Sequence, residues 1–314
     1  EVMRAFREGD PNGNGKRDEI PFSMREKFSW GDTLTGMWGV NVSWTEVLYN
    51  DEIILQLIHP NMKTALAFMR QMYEEKLLDQ EFLVNSRSIW EQKIKSGLVG
   101  AWEHTQGLAW QWQKDLMDTV PEQNPDVVAM PTPRGSGYDG PLGNRWNPIG
   151  KVFIIMKDAK HPEAIIRMLD WLISEEGQLL TDLGIEGDSY KRENGKLVVD
   201  TEKMEEIKSF SAVFKFHSTN EEVERAKLNN DAAYEKMRLA REVGAGEGFP
   251  NEAVGMPATD GDYNISTMFV EAASQIVLGL APVDSFDEFV AVWRKQGGDE
   301  MIKARTEWYN QNRR

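Results

Sequence analysis

The stretch Asp10-Pro11-Asn12-Gly13-Asn14-Gly15-Lys16-Arg17-Asp18-Glu19 carries side-chain oxygens at regular alternate positions. Oxygens at loop positions 1, 3 and 5 (Asp10, Asn12, Asn14) can wrap a hard cation, Gly15 at position 6 permits the sharp turn, and Lys16 at position 7 offers its backbone carbonyl. Asp18 stands at position 9, but position 12, where an EF-hand needs a bidentate Glu, is Pro21. That proline also forbids the exiting helix, so Glu19 at position 10 is the natural substitute ligand. The competing interpretation is a solvated Asn-Gly turn, because such residues crowd turns without any metal. Three carboxylates so close together (Asp10, Asp18, Glu19) would repel one another without a cation, which favours calcium in a structural role.

Tryptophan is the second chemical signal. Of 11 in the chain, Trp30, Trp38, Trp44, Trp90, Trp102, Trp110 and Trp112 fall between residues 30 and 112, and Trp146 lies in a Gly/Pro/Asn-rich loop. Indole faces suit the C–H faces of sugars, and neighbouring polar groups satisfy hydroxyls. The alternative for any single indole is core packing, expected for Trp171, Trp293 and Trp308. Trp102-Glu103-His104 after an apolar strand, and the loop pair Arg145-Trp146, are the candidate ligand residues. Arg145 could take a uronate carboxylate by a two-point contact, against the plainer possibility of a surface ion pair.

Other chemistry finds little support. Gly135-Ser136-Gly137-Tyr138-Asp139-Gly140 matches a dinucleotide fingerprint, but Pro141-Leu142-Gly143 opens no helix to receive a pyrophosphate. The four histidines are scattered, there is no cysteine, and the acidic residues are too many for any pair to single itself out as a glycosidase dyad.

The elements that position these residues follow from periodicity. Glu46–Tyr49 and Ile53–Leu55 flank Asn50-Asp51 as a hairpin, and Glu193-Asn194-Gly195-Lys196 marks a second. Pro60 opens a helix with Met62, Ala65, Leu66, Met69, Met72 and Tyr73 on one stripe, where the methionines are read as core. Ser88-Ile89-Trp90-Glu91 reads as a capping box, Leu98–Trp102 as a buried strand, and Asp126–Met130 and Val152–Met156 as further strands. Residues 131–137 are dense in Pro and Gly and read as a linker. Pro162 starts a helix with Ile165, Leu169, Leu172 and Ile173 inward and Gly177 closing it, and from about residue 202 the pattern is mostly helical.

At 314 residues the chain has room for two domains. Its 36 basic and 51 acidic residues give a net charge of −15, which repels phosphate backbones and anionic lipid and excludes nucleic acid as a default partner. No apolar run approaches the length of a membrane-spanning helix.

The string DPNGNGKRDEIPF closely resembles the calcium loop of family 1 extracellular solute-binding proteins of carbohydrate ABC importers, in the subgroup of alginate- and pectin-oligosaccharide-binding lipoproteins. In that family the ligands alternate and end with adjacent Asp and Glu, so the resemblance implies calcium on Asp10, Asn12, Asn14, the Lys16 carbonyl, Asp18 and Glu19, with Pro21 as an expected feature. Residues 150–177, Leu183–Tyr190 (LGIEGDSY beside the family's YGIEG-x-x-Y, with Leu183 replacing an aromatic) and 279–310 extend the likeness along the chain. It implies an α/β, two-lobed periplasmic-binding-protein fold of type II. The chain would be a fragment lacking most of the first lobe and an upstream lipidated cysteine, with its opening residues already inside a helix. Residues 1–131 and 214–314 would form the second lobe and 132–213 the returning part of the first, with the crossing at the linker. The implied function is capture of an oligosaccharide between the lobes, uronate-containing chains included, and delivery to an ABC permease without catalysis. Trp102, Glu103, His104, Arg145 and Trp146 would face the sugar. A monomer on the cell surface or in the periplasm, tied to the membrane only through a lipid anchor, is expected. The rival functions are a carbohydrate-active enzyme and a calcium-dependent adhesion module, the latter weakened by the presence of a single loop.

Overall fold

The computed structural model describes residues 1–42, 45–143, 145–146, 153–214, 220–250, 255–256 and 265–312, with the side chains of 145–146, 208–214 and 249–250 left aside. Two compact units result, one from Glu1–Pro148 with Leu239–Arg314 and the other from Ile149–Arg238.

In the larger unit, helix α1 (Val2–Glu8) precedes the acidic loop, and strand β1 (Ile20–Ser23) follows it. A short helix α2 (Asp32–Gly36) leads to the hairpin β2 (Glu46–Tyr49) and β3 (Glu52–Leu55). Asn50 and Asp51 both take left-handed φ, 48° and 64°, the pattern of a type I′ turn that matches strand twist. Helix α3 (Pro60–Glu74) begins where expected. His59 caps it by accepting the Asn61 N–H at Nδ1 over 3.1 Å, and Met62, Ala65, Leu66, Met69 and Met72 are buried. Helix α4 (Arg87–Lys95) starts earlier than the predicted capping box, because Ser86 rather than Ser88 presents its Oγ to the Ile89 N–H. Strand β4 (Val99–Trp102) then pairs in parallel with β1, Ser23 opposite Trp102, and is followed by α5 (Ala109–Thr119).

Residues 126–130, expected as a strand, belong to no regular element. The linker 131–137 is irregular up to Gly135 and then turns at Ser136-Gly137, where the Tyr138 N–H donates to the Gly135 carbonyl at 3.2 Å, and Gly135 is required there for space. A Cβ at that position would lie 2.3 Å from the Trp38 ring, whose Nε1 donates to the Ser136 carbonyl at 3.2 Å. A short strand β5 (Arg145–Trp146) pairs in parallel with β8 (Phe249–Pro250). Helices α11 (Ile265–Val277), α12 (Ser285–Trp293) and α13 (Asp299–Asn312) complete the unit. Phe28, Leu66, Phe82, Phe269 and Trp293 anchor its main core, and Trp90, Ile94, Val99 and Trp112 form a separate aromatic core under β4. Emptying a site such as fully buried Trp90 would cost about 3–5 kcal/mol.

The smaller unit holds α6 (Pro162–Leu172), α7 (Glu175–Leu183), the hairpin β6 (Tyr190–Glu193) and β7 (Lys196–Val199), α8 (Thr201–Phe214), α9 (Glu221–Leu228) and the first half of α10 (Asp231–Ala245). The hairpin turn is the predicted one, with Asn194 and Gly195 at φ 51° and 78°. Leu183, Tyr190, Leu197, Val199 and Val223 form its core. Three expectations fail here. Val152 lies outside the described residues and Phe153–Met156 form no strand: Phe153, Ile154 and Met156 are exposed, so the apolar run found neither a core nor a ladder partner among the described residues. Gly177 does not close α6, because Ser174 Oγ accepts the Gly177 N–H at 3.2 Å and starts α7. Trp171, expected in the core, is 36% exposed, and Ile173 is exposed too, because α6 is apolar on more than one face and only Leu172 is fully buried.

Candidate functional site

The carboxyl ends of two adjacent parallel strands, where open α/β sheets bind ligands, deliver Trp102-Glu103-His104 from β4 and Ser23 from β1. Around His104 stand three indoles: Trp30 at 4.6 Å between ring centroids, Trp112 at 5.6 Å and Trp90 at 5.7 Å. Trp30 stacks on Trp90 at 6.5 Å with only 13° between planes, and Trp102 meets Trp112 edge-on at 5.7 Å. The layers differ in exposure. Trp90 and Trp112 are buried, and Trp90 Nε1 donates to the Ser23 carbonyl at 3.3 Å, whereas Trp30 and Trp102 are half-buried and offer ring surface. Burial pushes His104 below the usual histidine range, and the Arg87 charge pushes in the same direction, so its ring is held neutral. Its Nδ1 is buried without a hydrogen-bond partner among the described residues.

Glu103 is engaged within the protein: its Oε2 accepts from the Thr33 N–H at 2.5 Å and from Thr33 Oγ1 at 2.9 Å. The side chains of Arg145 and Trp146 lie outside the described residues, as does Trp44; only the backbone pairing of β5 with β8 is described for the first two. Trp30, Trp90 and Trp112 were not singled out as ligand candidates from sequence. The Trp-rich stretch was the available signal, but which indoles meet depends on a parallel strand pair nearly 80 residues apart in sequence.

The acidic loop folds on itself. Asp10 Oδ1 and Oδ2 accept the Asn14 and Gly15 N–H groups at 3.0 and 2.9 Å, Asn12 Oδ1 accepts Asn14 N–H at 3.0 Å, and Asn14 Oδ1 accepts Lys16 N–H at 2.7 Å. The Asn14 amide donates to both Asp18 oxygens at 3.1 Å, with the Asn12 amide adding a bond at 3.2 Å, and these hold Asp18 below the usual carboxylate range. Five of the six predicted ligand residues therefore converge through their own hydrogen bonds. Glu19 differs: it is 3% exposed and neither carboxylate oxygen has a partner. Burying an ionised carboxylate unpaired is expensive. Glu19 directly follows the alternating oxygens in sequence, and a buried carboxylate without a protein donor suits a hard divalent cation. Among the described residues no three His, Asp or Glu side chains cluster as a metal site, so the fit rests on Asn and backbone oxygens as well as on carboxylates.

The family model for bacterial extracellular solute-binding proteins matches residues 30–179. The chain is 23% identical over 335 residues to lipoprotein LipO of Bacillus subtilis, covering 100% of this chain and 64% of LipO. It superimposes on the Streptococcus pneumoniae ABC-transporter substrate-binding protein FusA, an EF-hand mutant in complex with fructo-nystose, with a TM-score of 0.68 at 18% identity, covering 99% of this chain and 66% of FusA. Against the alginate-binding protein AlgQ2 without calcium ion the TM-score is 0.62 at 19% identity, covering 98% of this chain and 66% of the other. The α/β fold is thus that of the two-lobed solute-binding proteins, and the chain spans just under two thirds of the length of these relatives.

Proposed function

We propose that this chain is a bacterial extracellular solute-binding protein, a binding protein rather than an enzyme, that captures an oligosaccharide and presents it to an ABC permease; the family model over residues 30–179 and the shared fold support this reading. The observation that carries the reading is the aromatic layer at the carboxyl ends of β1 and β4. Trp30 and Trp102 offer half-buried indole faces to sugar C–H surfaces, over a rigid floor of Trp90, Trp112 and neutral His104. Trp102, Glu103 and His104 are the proposed recognition segment, with Arg145 and Trp146 as further candidates by sequence. FusA, with fructo-nystose bound, and AlgQ2, an alginate-binding protein, have this fold and make both neutral and uronate chains worth testing. The lobes are assigned as residues 1–131 with 214–314, and 132–213. Placement outside the cytoplasmic membrane, through a lipid anchor, and action as a monomer complete the proposal.

Calcium is proposed as a structural ion held by Asp10, Asn12, Asn14, the Lys16 carbonyl, Asp18 and Glu19. Its chemistry is charge neutralisation, and the unpaired carboxylate of Glu19 supports it. The loop residues bind and orient; no covalent step is involved.

Titration of the chain with fructo-, neutral and uronate oligosaccharides, followed by tryptophan fluorescence and calorimetry, tests the sugar reading. At least one class should give a saturable spectral change without product formation, and Trp102→Ala should weaken it about tenfold or more. Flat titrations for every class, or turnover abolished by removal of one carboxylate, would overturn it.

A further inference from the structure

The segment that delivers Trp30 is strained. Lys27, Phe28 and Trp30 all take left-handed φ (58°, 62° and 59°), a conformation that L residues other than Gly, Asn and Asp rarely hold. Such backbone persists only when its surroundings over-determine it. On its amino-terminal side the restraint is visible: Arg25 N–H donates to the Ser29 carbonyl at 2.8 Å, and Phe28 is fully buried against Phe82 and Phe269. On its carboxy-terminal side two side chains hold it. Asp32 Oδ1 accepts the Val42 N–H at 2.8 Å, and Glu103 Oε2, from the segment that follows β4, takes both donors of Thr33.

Glu103 lies between Trp102 and His104, so the residue that fixes the loop sits in the same three-residue segment as two rings of the aromatic layer. Trp30, three residues before Thr33, is the indole facing His104 at 4.6 Å. We infer that Glu103 is a positioning residue for saccharide recognition: its carboxylate, bound to Thr33, locks the strained loop so that Trp30 stays stacked over His104 and Trp90 as a ready-made platform. Oε2 already holds two donors, one of them at 2.5 Å, so its contribution to binding runs through the placement of Trp30. A preorganised platform spares the ligand the ordering of a loop and thereby raises affinity. This assignment rests on the saccharide reading of the site and specifies which residue sets its geometry.

The test uses Glu103→Ala, Glu103→Gln, Trp30→Phe and the Glu103→Ala/Trp30→Phe double variant of the whole chain. Two readouts are taken: near-ultraviolet circular dichroism of the free protein, where a near-parallel indole pair gives a distinctive band, and titration with the oligosaccharide that saturates the parent. Glu103→Ala should lose the Trp30 contribution to that band and weaken binding about tenfold, while its far-ultraviolet spectrum stays unchanged. Glu103→Gln, whose amide oxygen can still accept from Thr33, should retain most of both. The double variant should bind no worse than Trp30→Phe alone, since the two changes remove one effect. Should Glu103→Ala fail to fold, Thr33→Val removes the hydroxyl half of the same contact and should give a smaller loss in both readouts. Additive losses, or a Trp30 band unmoved in Glu103→Ala, would overturn the assignment. A parent protein that binds no oligosaccharide while the band behaves as described would instead sink the saccharide reading.

Discussion

Asp79 and Glu19 are two carboxylates of the larger unit with the same 3% exposure and opposite surroundings. Asp79 is surrounded by donors: Ser23 Oγ and Asn85 Nδ2 at 2.8 Å, the Glu81 N–H at 3.0 Å, and Lys93 Nζ at 3.0 and 3.1 Å. Burial pushes its pKa upward, but the bonds from Asn85, Ser23, Glu81 and Lys93 outweigh it and hold the group below the usual carboxylate range. Glu19, one residue before β1, has no donor on either oxygen. The protein thus supplies hydrogen-bond donors to one carboxylate and, among the described residues, none to the other, where Arg7 reaches the Glu19 backbone carbonyl at 3.5 Å rather than the carboxylate. The first is a finished structural knot; the second is the carboxylate on which the calcium proposal rests.

Breaking the knot should produce the largest effect. Asp79→Ala leaves Lys93 largely buried with the exposed Glu81 and the neutral Asn85 Oδ1 as its remaining acceptors, and is expected to cost about 3–5 kcal/mol in denaturant unfolding. The pH dependence has a defined sign. The folded pKa of Asp79 lies below its unfolded value of 3.8, so its stabilisation is fully present above that value and lost as pH falls through the folded one. Asp79→Asn should flatten that acid limb. A loss under about 1 kcal/mol for Asp79→Ala would mean that the network merely decorates a fold held elsewhere.

The next effect changes sign with conditions. With calcium at about a hundredfold over its dissociation constant, the parent should gain about 2.7 kcal/mol over the chelated state. Glu19→Gln should remove most of that gain, as should Asp18→Ala. In chelator, however, Glu19→Gln should stabilise, because it deletes a buried uncompensated charge. Thermal melts in calcium and in chelator decide the matter. Equal shifts for Glu19→Gln in both buffers would show that no ion is held there.

How much of this was legible in the sequence depends on the range of the interaction. The two hairpins were readable because Asn50-Asp51 and Asn194-Gly195 encode their turns locally, and the α3 stripe because Met62, Leu66 and Met69 repeat at the period of one helix. The acidic loop was readable as a string of oxygens, but the burial of Glu19 was not, since it follows from β1 entering a sheet with β4. The same strand pairing brings Glu103 to Thr33, seventy residues away, and no local pattern reports that. Trp171 was misplaced because a helix apolar on several sides does not reveal which side finds a partner. For Phe153–Met156 the residue types favoured a strand, yet a ladder needs a neighbour that composition cannot name.

The smallest effect is the sharpest control, because Lys93 holds both a buried and an exposed carboxylate. Its Nζ lies 2.9 Å from Glu81 Oε2, as close as its bonds to Asp79, but the Glu81 side chain is 70% exposed and that of Asp79 2%. If distance governed the energy, the two pairs would be equivalent. If desolvation governs it, Glu81→Gln should cost only about 0.2–1 kcal/mol, because water screens the pair and the long side chain regains freedom when released. That small cost should shrink further in molar salt, where screening acts within about 3 Å, whereas the loss in Asp79→Ala should persist because its partners are shielded from solvent ions. Urea midpoints for both variants at low and high salt separate these cases. Matching losses with matching salt dependence would show that the contrast between buried and exposed carboxylates does not govern this region.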